Sequence, residues 1–125
     1  MKVGFLQGRR ILVLEDDYYL ASDAADWLQG AGAEVIGPTG SPEEACRLLD
    51  TGFVDLAVVD VNLGYGPDFD VARRLRSDGI PVLFATGYDG SVMPAELADQ
   101  PRLEKPFGGP QLIAAIGALE ARTLT

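Results

Sequence analysis

Leu56-Ala57-Val58-Val59-Asp60 is apolar without a break up to its closing carboxylate. A strand with one wet face alternates, whereas a continuous run is what a strand covered by helices on both faces requires, which points to a parallel sheet. Two more runs share this form: Ile11 to Leu14 leads into Glu15-Asp16-Asp17, and Val82 to Ala85 leads into Thr86. A weaker strand candidate, Arg102 to Glu104, leads into Lys105. Parallel sheets place ligands outside the carboxyl ends of their strands, so an acid pair, a lone acid, a hydroxyl and an ammonium converge on one edge. That set suits a divalent cation and a phosphoryl group.

The segments between the runs read as helices. Leu20, Ala24, Trp27, Leu28 and Ala31 recur at helical spacing, and Gly30 with Gly32 supplies the stop. Val35-Ile36 is a short strand candidate ended by Gly37-Pro38. Ser41-Pro42-Glu43-Glu44 then has the form of an N-cap, a first-turn proline and a capping-box glutamate, opening a helix closed by Gly52. Past the loop Asn62 to Pro67, Asp68 is positioned to cap a helix carrying Val71, Ala72 and Leu75 that Gly79 ends. Ser91 to Gln100 reads as a short, labile helix, interrupted by Pro94 and limited by Pro101. A final helix, opened by Gly108-Gly109-Pro110, carries Leu112, Ile113, Ile116 and Leu119 on one stripe.

Five strand and helix units in alternation, without repeat or linker, predict an α/β fold in which five helices flank a five-stranded parallel sheet. Right-handed crossovers leave few topologies. The flavodoxin-like order 2-1-3-4-5 makes the first and third strands neighbours, which brings Glu15 and Asp16 beside Asp60. One domain over residues 10–122 is expected, with residues 1–9 as a mobile or loosely packed arm.

A chain of 125 residues, 47% hydrophobic, has ample material for one core. Its 19 acidic residues against 10 Lys plus Arg give a formal charge of -9, which argues against nucleic acid or an anionic membrane as partner and favours a cation or a basic protein face. Cys46 is the single cysteine, so no internal disulfide forms, and in its helix it reads as a half-buried structural residue. No apolar stretch is long enough to cross a bilayer and Met1 to Gly8 has no signal-peptide core, so a cytoplasmic location is expected.

Carboxylates crowded at one edge repel one another and raise their own pKa values unless a counter-charge is present. Oxygen-only ligands suit a hard ion, and few carboxylates leave positions for water and phosphate oxygens, which favours Mg²⁺ over Ca²⁺. With no histidine and one cysteine, zinc is disfavoured. Asp60 is the nucleophile candidate, because it alone ends the most buried strand, and a carboxylate can accept a phosphoryl group. Lys105 supplies an ammonium and Thr86 a hydrogen bond to the phosphoryl oxygens. Singly, Asp17 is a helix cap, Thr86 a strand-end residue and Lys105 a surface lysine. Their coincidence at corresponding strand ends carries the reading.

From Arg10 to Arg122 these residues resemble the receiver domain of two-component response regulators. Glu15-Asp16-Asp17 resembles the family's acidic cluster, Asp60 its phosphoacceptor, Thr86 its switch hydroxyl and Lys105-Pro106-Phe107 its Lys-Pro signature. The resemblance implies that Asp16, Asp60 and the main-chain carbonyl of Asn62 bind Mg²⁺, with Glu15 acting through a water. It also implies a cis Lys105-Pro106 bond and a phosphohistidine donor on a histidine kinase or histidine phosphotransfer protein. Most receivers carry Tyr or Phe three residues before the lysine; here Arg102 stands there. Phe84-Ala85-Thr86-Gly87-Tyr88 is similar instead to the signature of the "FAT GUY" group of single-domain receivers, with Tyr88 as the candidate replacement aromatic or an ordinary loop tyrosine.

The expected function is therefore a single-domain response regulator, a phosphoacceptor rather than an enzyme, relaying its signal to a downstream protein by contact or by onward phosphotransfer. Two other readings compete. A haloacid-dehalogenase-like phosphohydrolase shares the metal, nucleophile and lysine but resembles its relatives in a second acid two residues after the nucleophile, where this chain has Asn62. A pseudo-receiver that never takes a phosphoryl group is favoured only by Arg102.

Overall fold

The computed structural model describes residues 6–61, 68–87 and 93–123, with Thr86 and residues 121–123 as backbone alone. Five parallel strands, β1 (Arg10–Leu14), β2 (Glu34–Thr39), β3 (Leu56–Val59), β4 (Val82–Thr86) and β5 (Arg102–Glu104), form one sheet in the order β2-β1-β3-β4-β5. β3 is buried along its whole length, as its unbroken apolar run demands. It pairs with β1 from Ile11 opposite Leu56 to Leu14 opposite Val59, and with β4 from Ala57 opposite Val82 to Val59 opposite Phe84. The carboxyl ends of β1 and β3 are thus level, and β4 runs two residues further, to Thr86.

Helix α1 (Tyr18–Gly30) begins where the Asp17 side chain accepts the Leu20 N–H at 3.0 Å. Its buried positions are mostly alanine, which lets the helix lie close to the sheet. In α2 (Pro42–Thr51) the Ser41 hydroxyl accepts the Glu44 N–H at 3.1 Å and Pro42 occupies the first turn. The other half of the expected capping box is replaced, since the Ser41 N–H donates to Thr39 Oγ1 rather than to Glu44. Helix α3 (Asp70–Ser77) is capped by Phe69 rather than by the expected Asp68, whose side chain, one position further out, accepts the Asp70 N–H at 2.9 Å. Arg74 of α3 reaches Asp50 at 2.6 Å and the Cys46 carbonyl at 3.2 Å, tying α3 to α2. Cys46 itself is half-buried, as expected.

Among the described residues the prediction of five flanking helices is corrected to four, the last being α4 (Gly109–Thr123). Among the described residues of the expected fourth helix only a 3-10 turn, Ala95–Leu97, is present. Pro94 precedes it with ψ 150°, and Pro101 disfavours helical backbone at Gln100. The six residues between them are too few to repay helix nucleation. Side-chain contacts hold the turn instead: Leu97 is fully buried, Arg73 reaches Glu96 at 2.9 Å and Arg76 reaches Asp99 at 3.7 Å.

Two cores lie on opposite faces of the sheet. One packs α2, α3 and Leu97 on Leu12, Leu14, Ala57, Val59 and Phe84. The other packs α1 and α4 on Ile11, Val13, Val58, Leu83 and Ala85. Leu6 belongs to the second: it is fully buried, its N–H donates to the Ala31 carbonyl at 3.2 Å, and nearby Arg9 pairs with Glu120 at 2.7 Å. Loose packing therefore does not extend to Leu6.

Candidate functional site

Backbone hydrogen bonds place the acids before any side chain is considered. The Asp60 N–H donates to the Leu14 carbonyl at 2.8 Å and the Glu15 N–H donates to the Thr39 carbonyl at 2.8 Å, so both residues continue strand pairings past the ends of their strands. Glu15 is 6% exposed and Asp60 2%, while Asp16 stands open to solvent. Carboxylate oxygens of Glu15, Asp16 and Asp60 all lie within 4.8 Å of one another. The third acid has a local task, since Asp17 caps α1 and its N–H donates to Glu15 Oε2 at 3.1 Å.

Lys105 directly follows β5, and the peptide bond that leads on from it to Pro106 is cis. Its Nζ stands 2.8 Å from Glu15 Oε1 and 3.0 Å from Asp60 Oδ2, bridging the first and third strands. Thr86 is the last residue of β4 and pairs with Glu104, directly before Lys105. The strand ends thus bring Glu15, Asp16, Asp60 and Lys105 together and carry the Thr86 backbone to the same edge. Asn62 and Tyr88 lie outside the described residues. Arg102 is exposed on the edge strand.

Burial pushes the Glu15 carboxyl up to about 7, and the neighbouring Asp60 adds to the rise while the Lys105 ammonium opposes it. For Lys105, burial pulls the ammonium down, but its hydrogen bonds to Glu15 and Asp60 outweigh this and leave it above its ordinary value. Three clustered carboxylates against one ammonium leave a net negative site. A hard divalent ion accepted by carboxylate oxygens fits that donor set, and no nitrogen or sulfur ligand competes for it.

Two features carry no clear signal in the sequence. The Thr39 carbonyl bonds Glu15 from the last residue of β2, which runs through the Gly37-Pro38 expected to end it after Val35-Ile36. Tyr18 and Tyr19, 77% and 78% exposed, meet edge to face at the start of α1, 5.5 Å between ring centroids. Their position just after the acid pair is the one sequence cue to them.

A family model for the response regulator receiver domain matches residues 11–117. The chain belongs to that family. The receiver is 30% identical over 112 residues to Transcriptional regulatory protein PdtaR of Mycobacterium tuberculosis, a match covering 86% of this chain and 55% of that protein. Regulatory protein VirG of Rhizobium rhizogenes is 29% identical over 114 residues, 86% of this chain and 46% of the relative. The chain spans about half the length of the curated relatives it matches. Among solved structures, SdrG from Sphingomonas melonis Fr1 is similar with TM-score 0.77 and 31% identity, covering 90% of this receiver and 97% of that chain. CheY4 of Vibrio cholerae gives TM-score 0.77 at 21% identity, covering 90% and 99%, and shares the fold. No described helix is long and apolar enough to cross a membrane.

Proposed function

We propose that this receiver accepts a phosphoryl group on Asp60 from a phosphohistidine of a histidine kinase or histidine phosphotransfer protein and relays the signal as a single-domain response regulator of the "FAT GUY" kind. The observation that carries the reading is Lys105 Nζ held between Glu15 and Asp60, 2.8 and 3.0 Å away, beside an acid triad of metal-binding spacing. The functional domain is residues 10–122, and the setting is cytoplasmic.

Asp16, Asp60 and the main-chain carbonyl of Asn62, with Glu15 acting through a water, would hold Mg²⁺, which would neutralise charge on the phosphoryl oxygens. An Asp60 carboxylate oxygen bonds to phosphorus as the phosphorus–nitrogen bond to imidazole breaks, and the imidazole leaves with the electron pair and takes up a proton. Lys105 then turns from Asp60 towards the phosphoryl oxygens that replace its partner, and the Thr86 hydroxyl donates to the same group. The modified side chain carries about -1.5 to -2 charge. Differential contact with that charge biases the edge between β4 and β5 and so the surface offered to a downstream protein.

The test is intact mass after incubation with a small-molecule phosphoryl donor and Mg²⁺. One added phosphoryl group is expected for the wild type and none for Asp60→Asn or without metal. An adduct that survives Asp60→Asn would place the acceptor elsewhere.

A further inference from the structure

β1 and β2 do not stay in step. Arg10 to Leu12 pair one for one with Glu34 to Ile36, but Leu14 lies opposite Thr39, so β2 spends one residue more than β1 across Gly37-Pro38. An extra residue of this kind bends its strand, and such bulges are enriched beside active sites. Gly37, with φ +94°, takes a left-handed conformation that a side chain would penalise. The consequence lies in where the chain goes next.

After the bulge the backbone crosses directly over the acid pair. The Thr39 carbonyl accepts the Glu15 N–H, and Gly40 lies so close that a Cβ on it would meet Asp16 Cα at 2.9 Å, Asp16 Cβ at 3.2 Å and the Glu15 carbonyl at 3.4 Å. Gly40 has no positive φ, so its backbone conformation would accept alanine. Space, rather than conformation, demands glycine there. The crossing is fixed from the far side as well, since the buried Thr39 hydroxyl accepts the Ser41 N–H at 3.0 Å.

We infer that Gly40 is a positioning residue for the metal ligands: the β2 bulge lays Thr39-Gly40 against Glu15-Asp16 and so sets where Asp16 stands relative to Asp60. Gly40 acts through the Asp16 backbone and touches neither the ion nor the phosphoryl group. The inference rests on the reading of Glu15, Asp16 and Asp60 as Mg²⁺ ligands. Removing support from behind a metal ligand typically weakens metal affinity 10- to 100-fold.

The experiment is thermal unfolding of the protein with and without MgCl₂, because the Mg²⁺-dependent increment reports affinity for the folded state. For Gly40→Ala the increment should correspond to about tenfold weaker binding, whereas Gly30→Ala, whose Cβ meets nothing within 4 Å, should keep it in full. A merely structural glycine would lower both melting temperatures equally and leave the increment intact, which would overturn the inference. If Gly40→Ala does not fold, Thr39→Val decides, since it frees the Ser41 N–H without adding an atom beside Asp16. A full wild-type increment in that variant overturns the inference, and a weakened one supports it. Absence of any increment in the wild type would overturn the metal reading and this inference with it.

Discussion

Lys105 Nζ lies 3.0 Å from Asp60 Oδ2, so the cation that follows β5 is already engaged by the Asp60 carboxylate. The same nitrogen holds Glu15 at 2.8 Å. In the proposed function Lys105 is both a phosphoryl ligand and a competitor of the metal, and its removal separates the two roles.

Lys105→Met should therefore tighten Mg²⁺ binding, by roughly three- to tenfold, because one positive charge leaves an acidic site where like charges repel. The same change should slow phosphoryl transfer to Asp60 by about a hundredfold, the scale of losing one transition-state charge partner. Metal-free stability should fall as well, since two buried carboxylates lose their shared partner. Mg²⁺ titration and single-turnover phosphorylation of the one variant give opposite signs. Parallel loss of both would mean that Lys105 supports the fold of the site rather than its charge balance.

Glu15 predicts a pH dependence. Its folded-state value of about 7 lies above the ordinary 4.5, so the folded protein binds the proton more tightly than the unfolded chain. The stability this confers is complete below about pH 4.5 and is lost as pH rises through 7. Metal-free unfolding free energy should fall by on the order of 2–3 kcal/mol between pH 5 and 8, and Glu15→Gln should flatten that slope. Glu96 does not interfere, because its pairing with Arg73 lowers its pKa and acts only at more acidic pH. The Mg²⁺ increment should grow over the same window, as metal and proton compete for the carboxylates.

The 3-10 turn Ala95–Leu97 offers a choice between two explanations of its hold on α3. Arg73 and Glu96 are each about half exposed, 50% and 48%, and such pairs contribute well under about 1 kcal/mol. Leu97 is fully buried among Phe84, Val82 and Leu75 of one core, where truncation to alanine costs about 2–3 kcal/mol. Leu97→Ala should therefore shift the urea midpoint strongly and Arg73→Ala barely. A large loss in Arg73→Ala would reverse the assignment.

What could be read from sequence was whatever the local chain decides for itself. Each unbroken apolar run became a central strand, and each acid or cation after a run reached the expected edge, because strand polarity and right-handed crossovers leave the side chains nowhere else to converge. The weak strand Arg102–Glu104 also formed, with an exposed, charged outer edge. Features set by tertiary approach were hidden. Nothing in Leu6 itself announces that it fills a gap beside Ala31, and Gly40 looks like any loop glycine until Asp16 lies beneath it. The absence of a longer helix among the described residues is half legible, because Pro94 and Pro101 stand in the sequence and their spacing leaves room for one turn only.

Trp27 and Gly109 show the same dependence on close approach, and they permit a clean test. A Cβ on Gly109, the first residue of α4, would stand 2.9 Å from both Cγ and Cδ1 of the Trp27 indole, which also packs on Phe107 at 6.4 Å between ring centroids. In an otherwise open helix start, Gly→Ala gains up to about 1 kcal/mol from reduced backbone entropy. Overpacking against the ring costs about 1–3 kcal/mol and should win. Gly109→Ala alone is then expected to destabilise the receiver and to shift the emission of Trp27, its single tryptophan. In a Trp27→Ala background the clash is gone and the same substitution should be neutral or stabilising. A destabilisation of equal size in both backgrounds would assign the role of Gly109 to its backbone and not to the space it leaves for the indole.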